Sequence, residues 1–125
     1  MPARRILIVD DEDDIREVAQ VSLELLGHYE VLTASCGRDG VDSARTGRPD
    51  AILLDVMMPD LDGPATLAAL RADPATCDIP VLFLTAKTQA AEHTRLAELG
   101  VAGILTKPFD PLKLAAEVAT ALSWT

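Results

Sequence analysis

Asp50-Ala51-Ile52-Leu53-Leu54-Asp55-Val56-Met57-Met58-Pro59-Asp60-Leu61-Asp62-Gly63 is the stretch around which the chain is organised. Its apolar run, Ala51 to Leu54, is unbroken and too short for a helix with caps of its own. It suits a strand buried on both faces, as in the middle of a parallel sheet. The run ends in a carboxylate, Asp55, and a turn-rich loop follows with Pro59, Asp60, Asp62 and Gly63. A carboxylate at the carboxyl end of a central parallel strand lies where open α/β sheets bind ligands. Taken alone, Asp55 could equally cap or solubilise a strand end, so the other strands decide.

Working outward, Ile6 to Val9 is a second buried-strand run, closed by Asp10, Asp11, Glu12, Asp13 and Asp14. A helical pattern follows, with Ile15, Val18, Ala19, Ser22, Leu25 and Leu26 on one face. Asp14 and Glu17 read as its capping box and Gly27 as its stop. Glu30 to Ala34 is a short strand, and a helix from about Gly37 to Thr46 turns Val41 and Ala44 inward. Beyond Asp55, Pro64 opens a helix through Arg71. Val81 to Leu84 is a strand ended by Thr85, with a helix from about Thr88 to Leu99 after it. Ala102 to Leu105 is a weaker strand ended by Thr106, Lys107 and Pro108. Asp110 caps the last helix, whose core face is Leu114, Ala115, Val118 and Leu122. Five βα units in strict alternation imply one α/β domain over residues 1–125, a doubly wound five-stranded parallel sheet with five helices on both faces. Right-handed crossovers favour the flavodoxin-like order 2-1-3-4-5.

Composition narrows the function. Of 125 residues, 49 % are apolar and only 3 % aromatic, so the core must be built from Leu, Ile, Val and Ala. The net charge of −9 argues against direct nucleic-acid binding, which needs a basic patch. Two cysteines, Cys36 and Cys77, lack metal-ligand spacing and disulfide density, which fits reduced thiols and a cytoplasmic location. There is no signal-peptide pattern and no apolar run near membrane-spanning length, so no membrane association is expected.

In order 2-1-3-4-5 the first and third strands are neighbours, and Asp10, Asp11 and Asp55 converge at their carboxyl ends. Two carboxylates about 4 Å apart repel by roughly 4 kcal/mol at an effective dielectric near 20. Oxygen-only ligands call for Mg²⁺, Mn²⁺ or Ca²⁺, and so few protein ligands suit Mg²⁺, which keeps its waters. A hard cation, a free carboxylate, a hydroxyl and a lysine together describe phosphoryl transfer. Asp55 can be the nucleophile, Thr85 a donor to one phosphoryl oxygen, and Lys107 a point charge beside another. Each residue also has an ordinary reading: an acidic helix start, a strand threonine, a surface lysine. Their meeting at one end of one sheet tips the balance.

Asp10-Asp11, Asp55 with Met58-Pro59-Asp60-Leu61-Asp62-Gly63, Thr85-Ala86 and Lys107-Pro108-Phe109 together resemble the receiver domain of two-component response regulators. The order 2-1-3-4-5 is itself the described order of a chemotaxis protein of that family. The resemblance implies that Asp55 accepts a phosphoryl group from the phosphohistidine of a histidine kinase or histidine phosphotransfer protein. It implies Mg²⁺, with Mn²⁺ as substitute, on Asp10, Asp11, Asp55 and the backbone carbonyl of Met57. Thr85, Ala86 and Lys107 would bind the phosphoryl oxygens, and the Lys107-Pro108 peptide would be cis. The protein would be a switch that catalyses only its own phosphorylation and dephosphorylation. Its signal would leave through the helix 4–strand 5–helix 5 face to an output protein or a fused output domain.

Three positions depart from the pattern. Ile104 stands where family members carry Tyr or Phe. Pro64 stands after Asp62-Gly63 where a bulky apolar residue is usual. Met57 and Lys87 occupy the positions that tune phosphoryl lifetime. Two other readings compete. An aspartyl-phosphate phosphatase of haloacid dehalogenase type would want Asp-x-Asp after the first strand, where this chain has Asp10-Asp11-Glu12. A phosphorylation-independent docking module would have no need of the intact Asp/Asp/Asp/Thr/Lys set. With no output region after Trp124-Thr125, both a single-domain regulator and a piece of a longer protein fit.

Overall fold

A computed structural model describes residues 3–86 and 89–124. The strands are β1 (Arg5–Val9), β2 (Glu30–Ala34), β3 (Ala51–Asp55), β4 (Val81–Thr85) and β5 (Gly103–Thr106). The helices are α1 (Asp13–Gly27), α2 (Gly37–Gly47), α3 (Gly63–Ala72), α4 (Ala90–Ala97) and α5 (Leu114–Ala121). All strand pairs are parallel and the order is β2-β1-β3-β4-β5, as the alternation of units predicts.

Alternate side chains of the central strands point to opposite faces and feed two apolar layers. Leu7, Val9, Ile52, Leu54 and Phe83 pack with Ala44, Leu67, Leu70 and Leu96 of α2, α3 and α4. Ile6, Ile8, Leu53, Leu82 and Leu84 pack with Ala19 and Leu23 of α1 and with Leu114, Ala115 and Val118 of α5. Burial on both faces is why these strands read as continuous apolar runs.

Register does the positioning. Val9 lies opposite Leu54, Asp55 opposite Leu84, and Thr85 opposite Thr106. The residues that end β1, β3, β4 and β5 therefore fall level along one edge of the sheet.

The helices depart from the sequence expectation in instructive ways. α1 begins at Asp13, with Glu12 at the N-cap and no side-chain capping bond, so Asp14 lies inside the first turn and makes no capping box. Its buried residues are Ala19, Ser22 and Leu23, whereas Val18, Val21, Leu25 and Leu26 are exposed. The helix carries two apolar stripes, and the sheet takes the one containing Leu23. The other stripe faces outward beside exposed Leu112, and the Ser22 hydroxyl donates to the Pro111 carbonyl, tying α1 to the β5–α5 connection.

Gly27 and Gly47 are the last helical residues, and the left-handed caps are His28 and Arg48 (φ 57° and 47°). A Cβ at either glycine would stand 2.4 Å from the Tyr29 ring or from Leu32 Cδ1. These glycines are thus needed for close packing rather than for a positive φ. α4 is shorter than expected, and Thr88, its anticipated start, lies outside the described residues, as does Lys87. Asp110 accepts the Leu112 N–H at 2.9 Å in the turn before the last helix, but α5 begins at Leu114 with Lys113 at its N-cap, so Asp110 is not the cap the sequence suggests.

Candidate functional site

The level strand ends bring Asp10, Asp55, Thr85 and Lys107 into one pocket. Asp10, directly after β1, is 1 % exposed; Asp55, the last residue of β3, is 3 % exposed; Thr85, the last of β4, is fully buried. Lys107 follows β5 by one residue, and its backbone N–H donates to the Thr85 carbonyl at 2.8 Å. Its ammonium reaches back across the sheet edge. Nζ lies 3.0 Å from Asp10 Oδ2, 3.0 Å from Glu12 Oε1 and 3.3 Å from Asp55 Oδ1. The peptide between Lys107 and Pro108 is cis.

Local chemistry holds these groups in place. Asp10 Oδ1 accepts the Glu12 N–H at 2.9 Å, and Arg16 Nη1 donates to the Asp10 carbonyl at 2.8 Å. Below Asp55 the chain turns through Asp60, which takes a positive φ of 66°, a conformation aspartate tolerates better than most residues. Asp62 then caps α3 by accepting Ala65 N–H at 2.9 Å. The Gly63 N–H donates to the Val56 carbonyl at 2.9 Å. A Cβ on Gly63 would come within 2.7 Å of the Asp55 carbonyl oxygen and Val56 Cα. The Asp-Gly that follows the acidic strand end thus lets the α3 start back directly onto the Asp55 backbone.

The electrostatics are unbalanced. Burial, then the charge of Asp10 and a hydrogen bond with Asp11, push the Asp55 carboxyl up to about 7, with Lys107 opposing. Burial works against the Lys107 charge too, yet its contacts with Asp10 and Glu12 and the attraction of Asp55 prevail, so its pKa is raised and it stays an ammonium. Asp55 Oδ2 is buried without a hydrogen-bond partner, and Asp10 Oδ2 has only the lysine beside it.

Asp10, Asp11 and Asp55 each offer a carboxylate oxygen, and these oxygens lie within 4.8 Å of one another. Three hard anionic donors and two buried oxygens short of hydrogen bonds match what a small divalent cation requires. The residues present fit such an ion.

Other anticipated positions sit nearby without a defined role in the geometry. Met57 is 62 % exposed, and Ala86 is exposed beside Thr85. Ile104 is half-buried, opposite Phe83 and packed on the layer formed with α2, α3 and α4. Lys87 lies outside the described residues. Glu12, Arg16 and Gly63 were not singled out from the sequence as site residues. Glu12 is hidden there among five consecutive acids, and only its contact with Lys107 sets it apart.

Comparison with known proteins agrees with this geometry. The family model described as "Response regulator receiver domain" matches residues 6–119. The chain is 41 % identical over 119 residues to the alkaline phosphatase synthesis transcriptional regulatory protein PhoP of Bacillus subtilis, covering 95 % of this chain and 48 % of that protein. It is 39 % identical over 125 residues to the phosphate regulon transcriptional regulatory protein PhoB of Pseudomonas aeruginosa, covering 100 % of this chain and 54 % of PhoB. The chain spans about half the length of the curated relatives it matches. Among solved structures, the chemotaxis protein CheY4 of Vibrio cholerae superposes with a TM-score of 0.87 at 32 % identity, over 96 % of this chain and 99 % of that one.

Proposed function

The chain belongs to the response-regulator receiver family, and from that premise we propose that its switching reaction is phosphorylation of Asp55. A receiver domain is a signalling module of two-component systems, and the site chemistry supports the finer reading. As the bond from an Asp55 carboxylate oxygen to phosphorus forms, the P–N bond of a donor phosphohistidine breaks and the imidazole leaves. Lys107, 3.3 Å from Asp55, is placed to follow the charge onto the phosphoryl oxygens. Thr85, buried one strand over, supplies a hydroxyl donor. Ala86 offers its backbone next to it. Asp10, Asp11, Asp55 and the Met57 carbonyl are the groups that would hold Mg²⁺ or Mn²⁺. When bound, the cation supplies positive charge that ionises Asp55 and offsets the phosphoryl oxygens.

The donor in this reading is a histidine kinase or histidine phosphotransfer protein in the cytoplasm. No described helix is long and apolar enough to cross a membrane. The whole chain acts as one receiver unit that catalyses only its own phosphorylation and dephosphorylation. Its output goes to a separate protein or to a fused output domain, a reading supported by the names of the relatives as transcriptional regulators.

The observation that carries the proposal is the buried Asp55 with an unpartnered oxygen and a lysine 3.3 Å away. Incubation with Mg²⁺ and acetyl phosphate should give one alkali-labile phosphate per chain on the wild type and none on Asp55→Asn. Equal labelling of the Asn variant sinks the assignment.

A further inference from the structure

We propose that Glu12 is a positioning residue for Lys107, holding its ammonium at the pocket mouth while a cation occupies the carboxylates beneath. The inference rests on the cation reading of Asp10, Asp11 and Asp55 and assigns a role to a residue outside that set.

Glu12 stands at the N-cap of α1, where a side chain ordinarily bonds a free N–H of the first turn. It makes no such bond. Its backbone N–H donates to Asp10 Oδ1, and its carboxylate accepts from Lys107 Nζ at 3.0 Å, a residue 95 positions away. α1 therefore starts without a side-chain cap, and the carboxylate that could have served it is spent across the pocket.

An ammonium has three hydrogens, and here it faces three carboxylates. Two of them, Asp10 and Asp55, are buried and belong to the carboxylate cluster. The third, Glu12, has a side chain 59 % exposed and lies outside that cluster. A divalent cation and Lys107 must then share Asp10 and Asp55 while repelling each other. Glu12 is the partner that Lys107 can keep when the cation takes the other two. It draws the ammonium outward without releasing it, so the lysine remains within reach of an incoming phosphoryl group.

Removing the Glu12 carboxylate leaves Lys107, among the described residues, no ion-pair partner except the cation's own ligands, and metal binding should weaken through that competition. A general loss of negative charge would weaken it too, but without needing Lys107. The two are separated by a double-mutant cycle on the full-length, unphosphorylated protein, with Mg²⁺ binding measured by calorimetry. Glu12→Gln should weaken Mg²⁺ about fivefold, a size within the range of coupled contacts. Glu12→Asp should recover part of the loss. In a Lys107→Ala background, Glu12→Gln should change Mg²⁺ affinity less than about twofold. Asp14→Asn, an exposed acid in the same first turn, sets the size of a pure field effect.

An equal loss from Glu12→Gln with and without Lys107, or a loss no greater than that of Asp14→Asn, overturns the proposal. Wild-type affinity in Glu12→Gln overturns it while leaving the pocket reading intact. Absence of Mg²⁺ binding by the wild type removes the pocket reading and this proposal together.

Discussion

The two ends of the same sheet carry charged clusters that the fold treats in opposite ways. At the amino end, Arg5 of β1 meets Asp50, Glu30 and the end of α2. Its backbone N–H donates to Asp50 Oδ2 at 2.7 Å, Nη1 to the Gly47 carbonyl at 2.6 Å, and Nη2 to Glu30 Oε1 at 3.3 Å. The Asp50 N–H returns a bond to the Arg5 carbonyl at 2.7 Å. One guanidinium atom, Nε, is buried without a partner, but the other two are bonded. At the carboxyl end, two carboxylates are buried, one lysine is divided among three acids, and a buried oxygen of Asp55 has no hydrogen bond. The amino-end charges are mostly satisfied by backbone groups and by each other, so they hold the fold together. The carboxyl-end charges cost stability, and a natural domain keeps such a cost where a ligand or a reaction relieves it.

The comparison breaks most readily at Asp55, where the largest effect is expected. Folding raises its pKa from 3.8 to about 7. The stability contributed by the protonated group is therefore complete below about pH 4 and is lost as pH climbs through about 7. At pH 8 without divalent cations, the buried charge costs on the order of 4 kcal/mol. Asp55→Asn should remove that cost, so urea unfolding at pH 8 should show a more stable variant with a shallower loss between pH 5 and 8. Parallel profiles for wild type and Asp55→Asn would erase the distinction between the two clusters.

A second, smaller effect belongs to the backbone beneath Asp55. Gly63→Ala places a methyl group 2.7 Å from two backbone atoms, the Asp55 carbonyl oxygen and Val56 Cα, neither of which can rotate away. The loss should be about 2 kcal/mol in unfolding free energy, the usual scale for an overpacked site. Phosphorylation by acetyl phosphate should slow as well, because relief of the clash must shift the end of β3. A variant with wild-type stability would mean that the β3–α3 connection is more yielding than the close approach implies.

The legibility of this molecule followed burial. β1, β3 and β4 are readable because strands covered on both faces become apolar runs, and each run stops at a polar residue: Asp10, Asp55 or Thr85. The strand order followed from alternation and crossover handedness, and Lys107 lies within ion-pair distance of Asp10 and Asp55. α1 resists such a reading because its apolar residues spread over two adjoining stripes rather than one. Periodicity alone left no way to choose between the stripe with Leu23 and the stripe with Val18, Val21 and Leu25. Gly27 and Gly47 do end their helices, but not by supplying a positive φ: the left-handed caps are His28 and Arg48, and a Cβ at either glycine would crowd the Tyr29 ring or Leu32 Cδ1. Glu12 could not be picked out from four neighbouring acids, because what distinguishes it is a lysine supplied from the far end of the chain.

The smallest effect is expected at the amino end, and it tests whether that cluster is only structural. Arg5→Ala removes the bond to the Gly47 carbonyl, which meets the negative end of the α2 dipole, and an ion pair with Glu30 whose side chains are 38 % and 58 % exposed. Exposed pairs of that kind contribute about 0–1 kcal/mol. The carbonyl bond adds about 1 kcal/mol, so the summed loss should be about 1–2 kcal/mol. The loss should be nearly the same at pH 5 and pH 8, because Arg5 lies at the opposite end of β1 from the buried Asp55. Mg²⁺ affinity and the rate of phosphorylation should match wild type, since the whole length of β1 separates Arg5 from Asp10. A change in either would show that strain at one end of β1 is felt at the other, and the two clusters would then have to be treated as one coupled system.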